Sequence, residues 1–146
     1  MFRFHKTLDI VTLFHKASSP ASVRVATMLQ QASAHASETA TEDQASDHTA
    51  QSEHAPAARR DPFELNITED PPTTDQLQTI LEYVGTPAIP TVVRGAHTMT
   101  EALRAFRKDP NNFQRPLVVD WNNGKAVAGD KESEILKLLN ESKSSS

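Results

Sequence analysis

Residues Phe113–Gly129, FQRPLVVDWNNGKAVAG, decide the fold class of this chain. Leu117-Val118-Val119 is an apolar, β-branched run of the kind that forms a buried strand. Asn122-Asn123-Gly124 follows, and Asn-Gly is a strong hairpin signal because a type I′ turn needs positive φ at both central residues. Lys125–Ala128 then reads as the return strand. Pro116 has no N–H to donate, and it stands at the first strand position, where the ladder can spare a donor. An antiparallel pair with one apolar strand needs further strands beside it and helices over its faces, and the rest of the chain supplies both.

Leu8–Phe14, LDIVTLF, has the length and composition of a central strand. Ser19-Pro20 is a helix start, serine as N-cap and proline at the first helical position. Val25, Met28, Leu29 and Ala32 then share one helical face. Phe63–Glu69 alternates, with Phe63, Leu65 and Ile67 on one side, which predicts a half-buried strand at or near a sheet edge. Thr73-x-x-Gln76 is a capping box, followed by the stripe Leu77, Ile80, Leu81, Val84 and a stop at Gly85. Thr86–Gly95 holds two prolines and reads as loop. Thr98-x-x-Glu101 opens another helix, with Ala102, Leu103 and Phe106 inward, which ends before Pro110. Asp130 caps a last helix with an apolar face of Ile135, Leu136, Leu138 and Leu139.

Ser33–Ala58 is different material: five acids, no base, and alanine as its largest apolar residue. Such a segment buries too little apolar surface to offset the cost of ordering, so residues 34–60 read as a disordered acidic insert within one domain of 146 residues. Its histidines His35, His48 and His54 match no zinc spacing. Residues 142–146 read as a frayed tail. The order is then βα-insert-βααββα, an α/β chain with a four-stranded mixed sheet flanked by helices. A βαβ unit followed by a hairpin and a closing helix is the layout of a thioredoxin-like sandwich.

Composition narrows the chemistry. The chain has no cysteine, which removes disulfides, thiolate nucleophiles and Cys-ligated metal together. A net charge of −4 gives no basic balance for nucleic acid. No apolar run approaches the ~18–20 residues of a membrane span. The first 37 residues carry Arg3, Lys6, Lys16 and Arg24 against Asp9 alone, and they are serine-rich, as mitochondrial transit peptides are. Leu8–Phe14 is too good a strand to be cleaved off, so any targeting signal is expected within Met1–Lys6 or left uncleaved.

FHKASSPASVRV resembles the strand-to-helix active-site loop of the arsenate-reductase-like branch of the thioredoxin fold. Aligned on His15, the nucleophilic cysteine of that branch falls on Ser19 and a loop serine falls on Ser22. QRPLVVDWNNGKAVAGDKESEILKLL resembles its C-terminal half, where an arginine contacts the bound oxyanion and a cis proline follows. The resemblance implies those roles for Arg115 and Pro116. More closely, LDIVTLFHKASSPAS, DQLQTILEYVG and VDWNNGKAVAGD are similar to a fungal family of mitochondrial redox proteins, across the ordered chain outside the insert. It implies a mitochondrial oxidoreductase, the cytoplasm being the alternative location.

The departure from that pattern is chemical. A helix N-terminus contributes on the order of 1–2 kcal/mol, about one pKa unit, far short of what a serine hydroxyl needs to act as a nucleophile. Thiol–disulfide exchange by these residues alone is excluded. A redox reading therefore borrows thiols from glutathione or another protein. The second reading is a non-catalytic module that binds a protein partner or an anion, the acidic insert being one candidate surface, with Ser19, Ser22, Arg115 and Pro116 as candidates for an anion or glutathione-like ligand. A third, phosphate- or arsenate-ester chemistry at Ser19, needs a base that the sequence does not reveal. His15 is a candidate proton carrier without a paired carboxylate. Arg104, Arg107 and Lys108 read as a solvated face, as does Arg24. Trp121 reads as packing. Asp9, Asp120 and Asp130 lack metal-ligand spacing, and neither a metal nor a resident cofactor is implied.

Overall fold

The computed structural model describes residues 8–41 and 62–140. The readings made for Met1–Lys6, for the greater part of the insert and for the tail lie outside the described residues. Strands β1 (Asp9–Phe14), β2 (Phe63–Thr68), β3 (Leu117–Asp120) and β4 (Lys125–Ala128) form one sheet in the order β2-β1-β3-β4. β1 runs parallel to β2 and antiparallel to β3, and β4 is antiparallel to β3. The sheet is thus mixed, with β1 central and β2 at an edge, as periodicity predicts. Val11–Phe14 are all buried because β1 has a neighbour on each side and helices over each face.

Helices α1 (Pro20–Thr41) and α5 (Glu132–Asn140) cover one face. Their Val25, Leu29, Ile135, Leu138 and Leu139 pack with Val11, Leu13 and Val118. The other face carries α2 (Thr74–Val84), the short α3 (Ile89–Val92) and α4 (Met99–Lys108). There Leu77, Ile80, Leu81 and Phe106 close over Phe14, Leu117 and Val119. Alternation along each strand sends successive side chains to opposite layers, which is how one sheet serves two cores. Phe113 closes the second core at one end, its ring edge-on to Phe14 at 5.4 Å and to Phe106 at 6.3 Å.

The caps follow the sequence closely. Thr73 Oγ1 accepts from the Gln76 N–H while Gln76 Oε1 accepts from the Thr73 N–H, both at 3.0 Å. At α4 the box is offset: Thr98 Oγ1 accepts from Glu101 N–H, but Glu101 Oε1 reaches the N–H of His97.

Four readings are corrected. α1 continues to Thr41, so the acidic stretch begins as helix, with Ala36 buried. Alanine is the strongest helix former, and a preceding helix spares the segment its own nucleation. Thr86–Gly95 is not plain loop: it holds a 3₁₀ turn, Thr86–Ala88, and α3. The hairpin turn is not a two-residue type I′ turn, because Asp120 pairs with Lys125 and leaves a four-residue loop, Trp121–Gly124. Trp121 is drawn out of the β3–β4 ladder toward β1. Its N–H donates to Ile10 O at 3.2 Å and its indole N–H to Thr12 Oγ1 at 2.8 Å. Gly124, at φ 68°, then supplies the left-handed residue that returns the chain. Finally, Asp130 is not the cap of α5. The Glu134 and Ile135 N–H groups donate to Lys131 O, one residue further on, and the Asp130 carboxylate goes elsewhere.

Candidate functional site

Three pieces of chain meet at the carboxyl ends of β1 and β2. The first is His15–Ser19, between β1 and α1, held by the His15 N–H on Thr68 O at 2.8 Å. The second is Val92–Arg94, which pairs with Asn112–Gln114 through Arg94 N–H to Asn112 O at 2.9 Å and Gln114 N–H to Val92 O at 2.8 Å. The third is Arg115-Pro116, entering β3, where the peptide bond is cis as the resemblance implies. Glu69, just past β2, ties the first to the third. Its carboxylate accepts from Ala17 N–H at 3.2 Å and its carbonyl from Arg115 Nη1 at 2.9 Å.

Between these pieces lies a cavity of about 100 Å³, lined by Lys16, Arg94, Asn111, Phe113, Gln114 and Arg115. Three cationic and two carboxamide residues line it, Lys16, Arg94 and Asn111 being exposed, and no acidic residue does. Among the described residues, neither Lys16 nor Arg94 has a side-chain hydrogen bond or an ion pair. Like charges gathered without a counter-charge oppose folding, so the arrangement is suited to an anion.

The residues singled out from sequence divide. Arg115 lines the cavity. Pro116 is buried behind it. Ser19 and Ser22 do not line it. Ser19 caps α1, its Oγ accepting from Ser22 N–H at 3.2 Å while its carbonyl accepts from Val23 N–H at 3.0 Å. Ser22 is 0% exposed, and its Oγ accepts from Lys16 N–H at 2.9 Å and lies 2.6 Å from His15 Nδ1. Both serines act one step behind the cavity, fixing the loop that presents Lys16. The imidazole is engaged with the buried Ser22 rather than with Ser19, so ester chemistry at Ser19 gains no base from it.

Lys16, Arg94, Asn111 and Gln114 were not readable as a site. Arg94 falls in the stretch that reads as loop, and the pairing of Val92–Arg94 with Asn112–Gln114 brings it to Arg115. Arg104, Arg107 and Lys108 are exposed, as expected of a solvated face. Arg24 is not merely solvated: its guanidinium meets Asp130 at 2.6 Å. That hydrogen bond holds the Asp130 carboxyl below its ordinary value.

The opposite end of the sheet carries the acids. Asn123 Nδ2 donates to Asp9 Oδ2 at 3.1 Å and to both Asp120 oxygens at 3.1 and 3.0 Å, with Asp120 0% exposed. Asn122 Oδ1 accepts from Ile10 N–H at 2.8 Å, and Tyr83 OH donates to Trp121 O at 3.0 Å. Trp121 is packing, its ring centroid 6.5 Å from that of Tyr83. Among the described residues no three His, Asp or Glu side chains are grouped to hold a metal. His35 is exposed on α1, and His48 and His54 lie outside the described residues. No described helix is long and apolar enough to cross a membrane.

Fold and site together define a small α/β domain with a cationic cavity at the carboxyl ends of its parallel strands. The chain belongs to the family described as "Protein of unknown function (DUF1687)", which matches residues 2–130. It is also similar to a Schizosaccharomyces pombe protein named "Putative redox protein fmp46, mitochondrial", with 36% identity over 63 residues. The match covers 43% of this chain and 52% of that relative, so the chain spans about half the length of the curated relative it matches.

Proposed function

We propose that this chain is a thioredoxin-like domain of mitochondrial redox metabolism that binds an anionic group at the Lys16–Arg94–Arg115 cavity and carries no redox sulfur of its own. The observation that carries this reading is the convergence of three cations on one cavity with no carboxylate in its lining. The strand order β2-β1-β3-β4 supports the thioredoxin-like assignment. The position of the cavity supports it too, beside the β1–α1 loop and the Arg115-Pro116 entry to β3. The mitochondrial and redox parts rest on the printed name of the S. pombe relative.

The cavity of about 100 Å³ is small and its Lys16, Arg94 and Asn111 are exposed, so it suits a tetrahedral oxyanion or the carboxylate end of a larger ligand such as glutathione. Guanidinium groups pair with such oxygens by bidentate, charge-assisted hydrogen bonds, and Arg94 and Arg115 supply two of them.

The test is a titration of the full chain with sulfate and, separately, with glutathione, following the backbone amides of Lys16, Arg94 and Gln114. Saturable shifts at all three are expected, with saturation moved to about tenfold higher ligand concentration in Arg94→Ala. No shift with either ligand in large excess would retire the anion site. An insulin-reduction assay tests the other half: wild type and Ser19→Ala should both run at the blank rate. Turnover above blank by the wild type would overturn the thiol-free reading.

A further inference from the structure

One stretch of the chain carries charge of the opposite sign to the whole. The net charge is −4, yet residues 94–115 hold Arg94, Arg104, Arg107, Lys108 and Arg115 against Glu101 and Asp109 alone. Both acids are occupied locally: Glu101 Oε1 accepts from His97 N–H at 2.8 Å, and Asp109 Oδ1 from Asn111 N–H at 3.0 Å. None of these bases has an ion pair among the described residues.

Arg104, Arg107 and Lys108 stand at i, i+3 and i+4 on α4, so they share one face, away from the buried Ala102 and Phe106. All three are exposed. The stripe adjoins the cavity. Asn112 Nδ2 donates to Ala105 O at 3.0 Å, which folds the turn after α4 back onto the helix, and the neighbouring Asn111 lines the cavity. Three Cα–Cα steps separate Lys108 from Asn111, no more than about 11 Å. Lys16, Arg94 and Arg115 thus continue into the α4 stripe as one cationic surface. Glu69 borders it, with its carboxylate engaged by Ala17 N–H.

We infer that this surface docks an acidic polypeptide of a partner protein, one carboxylate in the cavity and further acidic side chains along Arg104, Arg107 and Lys108. The inference rests on the anion reading of the cavity and names the carrier of the anion. A single-stranded nucleic acid needs aromatic faces on which its bases stack, and no described Phe, Tyr or Trp is exposed. A lipid surface needs apolar side chains to enter it, and the exposed large apolar residues, Leu8, Ile10 and Val23, all lie outside 94–115. Carboxylates need neither. Arg94, Arg104, Arg107 and Arg115 bring planar guanidinium groups, which pair with a carboxylate through two parallel hydrogen bonds. Spacing fits as well. Alternate side chains of an extended peptide recur every ~7 Å, and Arg104 and Lys108 stand about 6 Å apart along the helix axis.

The experiment is a titration of the full chain with a hexaglutamate peptide, following the amide resonances of Lys16, Arg94, Arg104 and Lys108. Saturable shifts at both groups are expected, weakening as salt rises. The double variant Arg104→Glu/Arg107→Glu should lower the affinity about tenfold or more, with the unfolding midpoint unchanged and sulfate still bound at the cavity. Arg24→Ala and Arg107→Ala remove the same charge from different helices. The first should bind the peptide like wild type and the second more weakly; equal losses would mean general charge attraction and overturn the inference. Sulfate binding without peptide binding also overturns it and leaves the cavity reading standing, whereas absence of both removes the two together. Tighter binding of polyuridylate or of phosphatidylglycerol vesicles at these residues makes the partner a nucleic acid or a membrane. Self-association through them makes it a second copy. The inference fails in each of these cases.

Discussion

The two ends of the sheet use their polar groups in opposite ways. At the hairpin end, two carboxylates, Asp9 and Asp120, share the amide of Asn123, while Trp121, Asn122 and Tyr83 are bound to β1 or to the loop itself. At the other end, Lys16 and Arg94 line a cavity and have no side-chain partner among the described residues. Acids at one end are absorbed into the fold, whereas these two cations at the other are exposed. That difference is the ground for the proposed anion site: a polar cluster whose hydrogen bonds are internally met stabilises, and cations gathered without a counter-charge are suited to an anion.

The comparison can be broken by mutation, beginning where the effect should be largest. Asn123→Ala takes away the donor shared by a fully buried carboxylate and its neighbour. It should cost about 2–3 kcal/mol in urea unfolding and leave sulfate binding at Lys16 and Arg94 unaltered. A neutral result would mean the hairpin cluster is not structural. Ser22→Ala removes the partner of the Lys16 N–H and of the His15 ring nitrogen in two part-buried hydrogen bonds. About 1–2 kcal/mol of stability should go, and sulfate affinity should fall with it because the loop bearing Lys16 loosens. Loss of stability with full affinity would detach the serine from the site.

Arg94→Ala should show the reverse pattern. Sulfate affinity should fall about tenfold, ~1.4 kcal/mol, with the unfolding midpoint unchanged or slightly raised by relief of like-charge repulsion. Binding by the wild type should also weaken as ionic strength rises. The smallest effect belongs to the Arg24–Asp130 pair, 65% and 39% exposed at its side chains. Because Arg24 lowers the folded pKa of Asp130, its contribution exists above the unfolded carboxylate pKa and is lost as pH falls through the folded one. In Arg24→Ala the Asp130 carboxyl resonance should titrate nearer the ordinary carboxylate pH, with little change in unfolding. An unchanged titration would remove the pair from the account.

The elements were legible wherever neighbours in sequence are neighbours in space. The Thr73–Gln76 box, the Leu77–Leu81 stripe and the β-branched run of β3 all act within a few residues, and each appears where the pattern sets it. Errors fell where a distant partner intervenes. Trp121 leaves its strand for Ile10 and Thr12, which lengthens the turn that Asn123-Gly124 alone predicts. Asp130 leaves the cap of α5 for Arg24. The acidic, alanine-rich start of the insert stays helical because α1 already leads into it.

Chemistry divides along the same line. A chain without cysteine cannot exchange thiols, whatever its shape, since that follows from the atoms present. The strand order and the cis Arg115–Pro116 bond were open to inference from pattern and resemblance. The cavity was not. Lys16 and Arg94 are far apart in sequence and each looks like an ordinary surface cation. They become one site only after β1 lies beside β3 and the Val93–Phe113 bridge folds α3 back toward Arg115. Local periodicity records which residues share a face; only long-range pairing records which faces meet.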